Sequence, residues 1–182
     1  QYRAAEVEHV LRSCDVSVVV TEAALVERLG RDAITRFPAL RRVFVFDGGD
    51  GDRAERLCRD SDVTEPVAVD GDDVALLLCT SATTGRAKGV VLTVANLEAN
   101  YDPTPAWVGF GVDDVILGAL PLYNTFALNH CINAPPVTGA TLVLLPRFDE
   151  RACLDAIARH RCTYVPAVPT MLQKMLNHPH AT

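Results

Sequence analysis

Short apolar runs with no inward–outward alternation decide what this chain can fold into. Val16–Val20, Val43–Phe46, Val74–Cys79, Val90–Leu92, Val115–Leu117, Thr141–Leu145 and Thr163–Val165 carry no charge and are rich in Val, Leu, Ile and Phe. A strand wetted on one face alternates apolar with polar residues. A strand that is apolar throughout is covered on both faces, as in a parallel sheet clothed by helices. Helical segments fall between the runs. Val7, Val10, Leu11 and Cys14 recur at the spacing of one helix face. Ala23–Leu29 and Arg31–Phe37 predict helices, Arg53–Arg59 predicts another, and Thr93 can cap a helix over Val94–Tyr101. A helix is expected after Tyr123, stopping before the Pro135–Pro136 pair. Asp149 caps a helix whose apolar face holds Cys153, Leu154, Ile157 and Ala158, and Met171, Leu172, Met175 and Leu176 mark a last one after Pro169. Alternating strands and helices predict an α/β fold, a layered and mainly parallel sheet with flanking helices.

Composition narrows the function classes. The chain has 182 residues, enough for one domain, and 49% of them are hydrophobic, which supplies a core. Its net charge of −6 and lack of a basic run argue against a nucleic-acid partner. The six cysteines include no C-x-x-C pair and sit mostly in apolar segments. They read as small hydrophobes in a reducing, cytoplasmic setting, without zinc and without a disulfide framework. The segment Val115–Pro146 has no charged residue, but Pro121, Asn124, Asn129, His130 and the proline pair interrupt it, so no transmembrane span is expected. "DGGDGD" at Asp47–Asp52 occurs once and reads as a solvated turn cluster, not a calcium repeat.

The polar stretch "CTSATTGRAKGVVL", Cys79–Leu92, lies between two apolar runs. Small hydroxyls, glycines and one lysine together offer backbone N–H groups, O–H donors and a fixed cation, a set that suits phosphate oxygens. The spacing is not that of the P-loop, because Lys88 does not follow a glycine. On the residues alone, a phosphate cradle and a polar hairpin both remain open.

"TSATTGRAKGV" resembles the phosphate-binding signature T-S-G-T-T-G-x-P-K-G-V of the adenylate-forming superfamily. "ALPLYNTFAL" (Ala119–Leu128), "TGATLVLLPRFD" (Thr138–Asp149) and "HRCTYVPAVPTML" (His160–Leu172) resemble later segments of the same family, in order. "AAEVEHVLRSCDVSVVVTE" resembles its early helix and strand. "ALPLYNTFAL" and "TGATLVLLPRFD" look more like acyl-CoA synthetases than peptide-synthetase adenylation domains. The resemblance implies a partial N-terminal, AMP-binding domain over residues 1–182, the central piece of an acid–thiol ligase that makes an acyl-adenylate from ATP and a small carboxylic acid. The resemblance implies ATP with Mg2+, and coenzyme A as the co-substrate. The resemblance implies that Thr80, Ser81, Thr83, Thr84 and Lys88 face the phosphates, with Gly85 and Gly89 giving a tight backbone. Thr80 also reads as strand-end packing.

Departures from the pattern matter too. Ala82 stands where the family has glycine; at a positive φ its Cβ would cost about 1–2 kcal/mol. Ala87 replaces a frequent proline. Asn124 stands where a histidine is usual, and Ala127 replaces a glycine. By resemblance Tyr123 and Asn124 border the substrate pocket; Asn124 also reads as a helix N-cap. His130 reads as a core histidine, and His160 falls at a helix end where it complements the dipole. No catalytic residue and no metal site is assigned. The family's mobile C-terminal domain has no counterpart in the 182 residues, so this chain alone is expected to make no acyl-CoA. The alternative is a truncated, non-catalytic remnant of the family that binds nucleotide weakly or not at all.

Overall fold

Strands form where the apolar runs are, and the helices between them set their direction. The fold comes from a computed structural model, which describes residues 4–30, 32–46, 52–54, 65–80, 88–109 and 111–181. The chain divides into two compact units, Gln1–Thr93 and Val94–Thr182.

The first unit begins with α1 (Ala4–Ser13), β1 (Val18–Thr21), α2 (Ala23–Leu29), α3 (Ala33–Arg36) and β2 (Arg42–Val45). A two-residue β3 (Asp52–Arg53) follows, and the strands run parallel in the order β1-β2-β3. Leu11, Leu29, Phe37, Leu40, Val43 and Val45 form its core. Arg36 ties α3 to α1 through a 2.9 Å ion pair with Glu8. The expected helix over Arg53–Arg59 is not found at its first residue, because Arg53 pairs with Val45 in β3. Residues 55–59 lie outside the described residues, as does most of the Asp47–Asp52 turn cluster.

The unit closes with β4 (Val74–Thr80) and β5 (Lys88–Thr93). This pair is antiparallel, an exception to the parallel rule that holds for β1-β2-β3. The exception follows from chain length. Parallel partners need a crossover of a dozen or more residues, whereas a short connection turns the chain straight back.

The second unit holds α4 (Val94–Tyr101), α5 (Pro103–Val108), β6 (Val115–Gly118), α6 (Thr125–Ala127), a π-helical stretch (Leu128–Asn133), α7 (Ala134–Thr138), β7 (Thr141–Leu144), α8 (Glu150–His160) and α9 (Pro169–Leu176). β6 and β7 are parallel, with Val115 opposite Thr141. The predicted strand at Thr163–Val165 appears as a parallel bridge from Tyr164 to Ile116 on the other side of β6. The Leu117 N–H donates to the Tyr164 carbonyl at 2.9 Å. β6 therefore has neighbours on both sides, and Ile116 and Leu117 are fully buried. Each such side chain is worth about 1.5–3 kcal/mol in removal from water. Cys153, Ala156, Met171 and Met175 pack against Leu117 from α8 and α9.

Two expectations are corrected here. The helix does not stop before Pro135. It passes through a π turn, where the Ala134 N–H reaches back to the Asn129 carbonyl, and both prolines stand in the first turn of α7. Proline lacks an N–H, and in an α-ladder its ring meets the carbonyl four residues back. The wider π register moves that carbonyl aside, so the helix continues. On α8, Ala158 is exposed and Ala156 carries the burial instead.

Candidate functional site

The phosphate-signature stretch is built on the β4–β5 hairpin. Leu76 pairs with Leu92, Leu77 with Val91, Leu78 with Val90, Cys79 with Gly89 and Thr80 with Lys88. β4 reaches Thr80 and β5 starts at Lys88, two residues earlier than the apolar run suggested. The last opposed pair thus brings the backbones of Thr80 and Lys88 side by side and closes the ends of the segment between them. Lys88 is exposed. Gly89 has a φ outside the left-handed region and lies in extended β5, where an added Cβ would sit 3.9 Å from Cys14 Sγ. Ser81, Ala82, Thr83, Thr84 and Gly85 lie outside the described residues.

The second group of predicted residues follows β6. The buried run Ile116–Leu120 leads to a turn in which the Asn124 N–H donates to the Pro121 carbonyl at 3.1 Å. Asn124 then caps α6: its Oδ1 accepts from the Phe126 N–H at 3.0 Å. The capping reading of Asn124 is therefore met. Tyr123 beside it is 83% exposed.

Sequence reasoning missed the cluster one turn further along. His130 in the π-helical stretch stands edge-on to Phe126, with ring centroids 4.7 Å apart. Its Nδ1 lies 2.9 Å from the Tyr164 hydroxyl, across from the bridge strand. Burial lowers the His130 pKa below its ordinary 6.5 and raises that of Tyr164, so both groups are neutral near pH 7. Neutral rings that share a hydrogen bond leave a half-buried, mainly aromatic wall. The signal was faint, since Tyr164 lies 34 residues from His130.

The β4–β5 hairpin brackets a glycine-, hydroxyl- and lysine-containing segment in an α/β chain. The chain belongs to the AMP-binding enzyme family, which it matches over residues 1–182. It is 33% identical to 4-coumarate–CoA ligase 3 of Oryza sativa subsp. japonica, over 100% of this chain and 33% of that protein. It is 35% identical to sulfoacetate–CoA ligase of Cupriavidus necator, over 97% of this chain and 34% of that one. In structure it is similar to ATP-bound MatB from Rhodopseudomonas palustris, with a TM-score of 0.84 and 28% identity, covering 98% of this chain and 35% of MatB. The chain thus spans about a third of the length of these relatives.

Proposed function

We propose that this chain carries the phosphate-binding hairpin of an AMP-forming acid–thiol ligase. A carboxylate oxygen of the acid attacks the α-phosphorus of ATP. The acyl–phosphate bond forms as the bond to the β-phosphate bridging oxygen breaks, and pyrophosphate leaves with the negative charge. A thiol, with coenzyme A as the expected acceptor, then takes the acyl group and releases AMP. Donors held against the leaving pyrophosphate stabilise the first transition state because charge grows there. In this reading the Lys88 ammonium and the hydroxyls of Thr80, Ser81, Thr83 and Thr84 supply those donors. Gly85 and Gly89 leave room for the backbone to approach, Ala82 lines the same loop, and Tyr123 and Asn124 border the acid.

One observation carries the reading: the register that sets Lys88 opposite Thr80 at the two ends of the signature segment, in a chain of the AMP-binding enzyme family. The donor chemistry of the segment fits a triphosphate. Magnesium would enter on the triphosphate itself. Among the described residues no group of three or more His, Cys, Asp or Glu gathers to hold a metal. The net charge of −6 supports a small-molecule partner over a nucleic acid. Among the described residues no helix is long and apolar enough to cross a membrane.

The test is calorimetric titration of the chain with ATP and magnesium. A charge-assisted hydrogen bond to phosphate is worth about 1.5–3 kcal/mol, so Lys88→Ala is expected to weaken binding roughly ten- to hundred-fold. Ala82→Gly is expected to tighten it by relieving the loop. Equal affinity of Lys88→Ala and the parent would remove the hairpin from the phosphate site.

A further inference from the structure

We propose that Cys14 and Cys79 are a redox-sensitive dithiol that closes reversibly to a disulfide beside the loop end of the β4–β5 hairpin. Three placements carry this. Cys79 lies directly opposite Gly89 in the antiparallel register. Directly opposed residues point their Cβ atoms to the same face of the pair, about 4.5–5.5 Å apart. A Cβ built on Gly89 falls 3.9 Å from Cys14 Sγ. The thiol of Cys14, just past the end of α1, therefore occupies the space above Gly89 on the face to which Cys79 points. The two thiols interact through a side-chain hydrogen bond. Gly89 carries no side chain between them, and a Cβ there would make only ordinary van der Waals contact with the Cys14 sulfur.

Both cysteines are free and only partly buried, unlike Cys131 and Cys153 in the core of the second unit. Burial pushes Cys131 up to about 11 and raises Cys153, which keeps those thiols protonated and unreactive. Burial and the neighbouring Cys14 raise Cys79 as well, which lowers its thiolate fraction and makes its attack the slower step.

The chemistry is thiol–disulfide exchange with an oxidised low-molecular-weight disulfide, RSSR. The Cys14 thiolate attacks one sulfur of RSSR, forming a Cys14–SR bond and expelling RS−. Cys79 loses its proton and attacks Cys14 Sγ, forming the Cys14–Cys79 bond and expelling the second RS−. Two protein thiols are oxidised by two electrons, RSSR is reduced to two thiols, and the two protons end on them. The bond would pin α1 to β4 one residue before Thr80.

The experiment exposes the folded chain to oxidised glutathione, caps the remaining thiols with N-ethylmaleimide and maps unreduced peptides by mass spectrometry. The expected product is a peptide pair joined through Cys14 and Cys79, released by dithiothreitol. It is absent from Cys14→Ser and Cys79→Ser, and most of its yield is lost when oxidation is run in urea. Stable glutathione adducts on both cysteines, no reaction at either, or a different preferred pair would overturn the proposal. So would an equal yield in urea, because the link would then owe nothing to the fold. None of these outcomes depends on nucleotide binding, so the dithiol stands or falls apart from the ligase reading.

Discussion

Asp149 shows how far one residue can be read from its neighbours. Its extended backbone (φ −144°, ψ 125°) ends the β7 connection, and its carboxylate accepts the Ala152 N–H at 2.8 Å. Glu150 in the first turn and Arg159 and His160 in the last complement the helix dipole of α8. Asp149→Ala is expected to cost about 1 kcal/mol, within a range of about 0.5–2. For a chain of this size that lowers Tm by about 2–4 °C, read by circular dichroism. Asp149→Asn, which keeps an acceptor, is expected to melt close to the parent. A melt of Asp149→Ala that matches the parent would show that water serves the cap equally well. The cap was legible because it needs only local spacing. Ala158 was misread for the opposite reason. Small residues at positions 156 and 158 satisfy the same composition, and only the packing of α8 on Leu117 selects Ala156. Gly118 was not legible at all: a Cβ there would lie 3.0 Å from Leu144 Cδ1, 3.2 Å from Leu142 Cδ1 and 3.5 Å from Cys131 Sγ. Those contacts come from two other elements, β7 and the π turn, and exist only once both have met β6.

Among the elements, strands were the easiest to read, and their partners the hardest. Apolar runs mark β4 and β5, yet nothing local gives the register that opposes Thr80 to Lys88. The π turn was hidden because two prolines in sequence ordinarily predict a stop. That turn carries His130 towards Tyr164, and the pair gives the element a pH dependence. Burial depresses the folded-state pKa of His130 below its ordinary 6.5. Above 6.5 the imidazole is neutral in both the folded and unfolded chain, and stability is unaffected. As pH falls through 6.5 the unfolded chain takes up the proton first, so stability is lost until the folded-state pKa is passed. The groups facing the ring do not compensate, since Phe126 is uncharged and Tyr164 is raised and stays protonated. Nor does Cys131, next in the same turn, which stays a thiol through this range. Urea midpoints from about pH 7.5 down to about pH 5 are expected to fall more steeply for the parent than for His130→Gln, which keeps a polar side chain without titrating. Parallel slopes would mean that the ring is protonated in the fold without cost.

Across the whole molecule, the distribution of apolar surface was partly legible and partly not. The share of hydrophobic residues promised a core, and each unit has one. What composition does not reveal is how much apolar surface stays outside. Leu77 and Val91, opposed across the hairpin, are 42% and 53% exposed, and Val74 and Val90 are exposed beside them. The hairpin is a two-stranded sheet among the described residues. Such pairs are marginal alone, and their edges template pairing with another chain. The chain is therefore expected to self-associate through the hairpin as concentration rises, read by sedimentation velocity. Salt separates this from a charged contact. The net charge of −6 repels other copies, so added salt screens that repulsion, and sulfate strengthens apolar burial. Both effects drive association, whereas a contact held by ion pairs would dissolve. Val91→Lys places a charge on the exposed face of β5, the device by which natural edges resist pairing. It is expected to shift the distribution towards monomer at every concentration. A parent that stays monomeric, or a Val91→Lys chain that associates as strongly, would move the aggregating surface elsewhere.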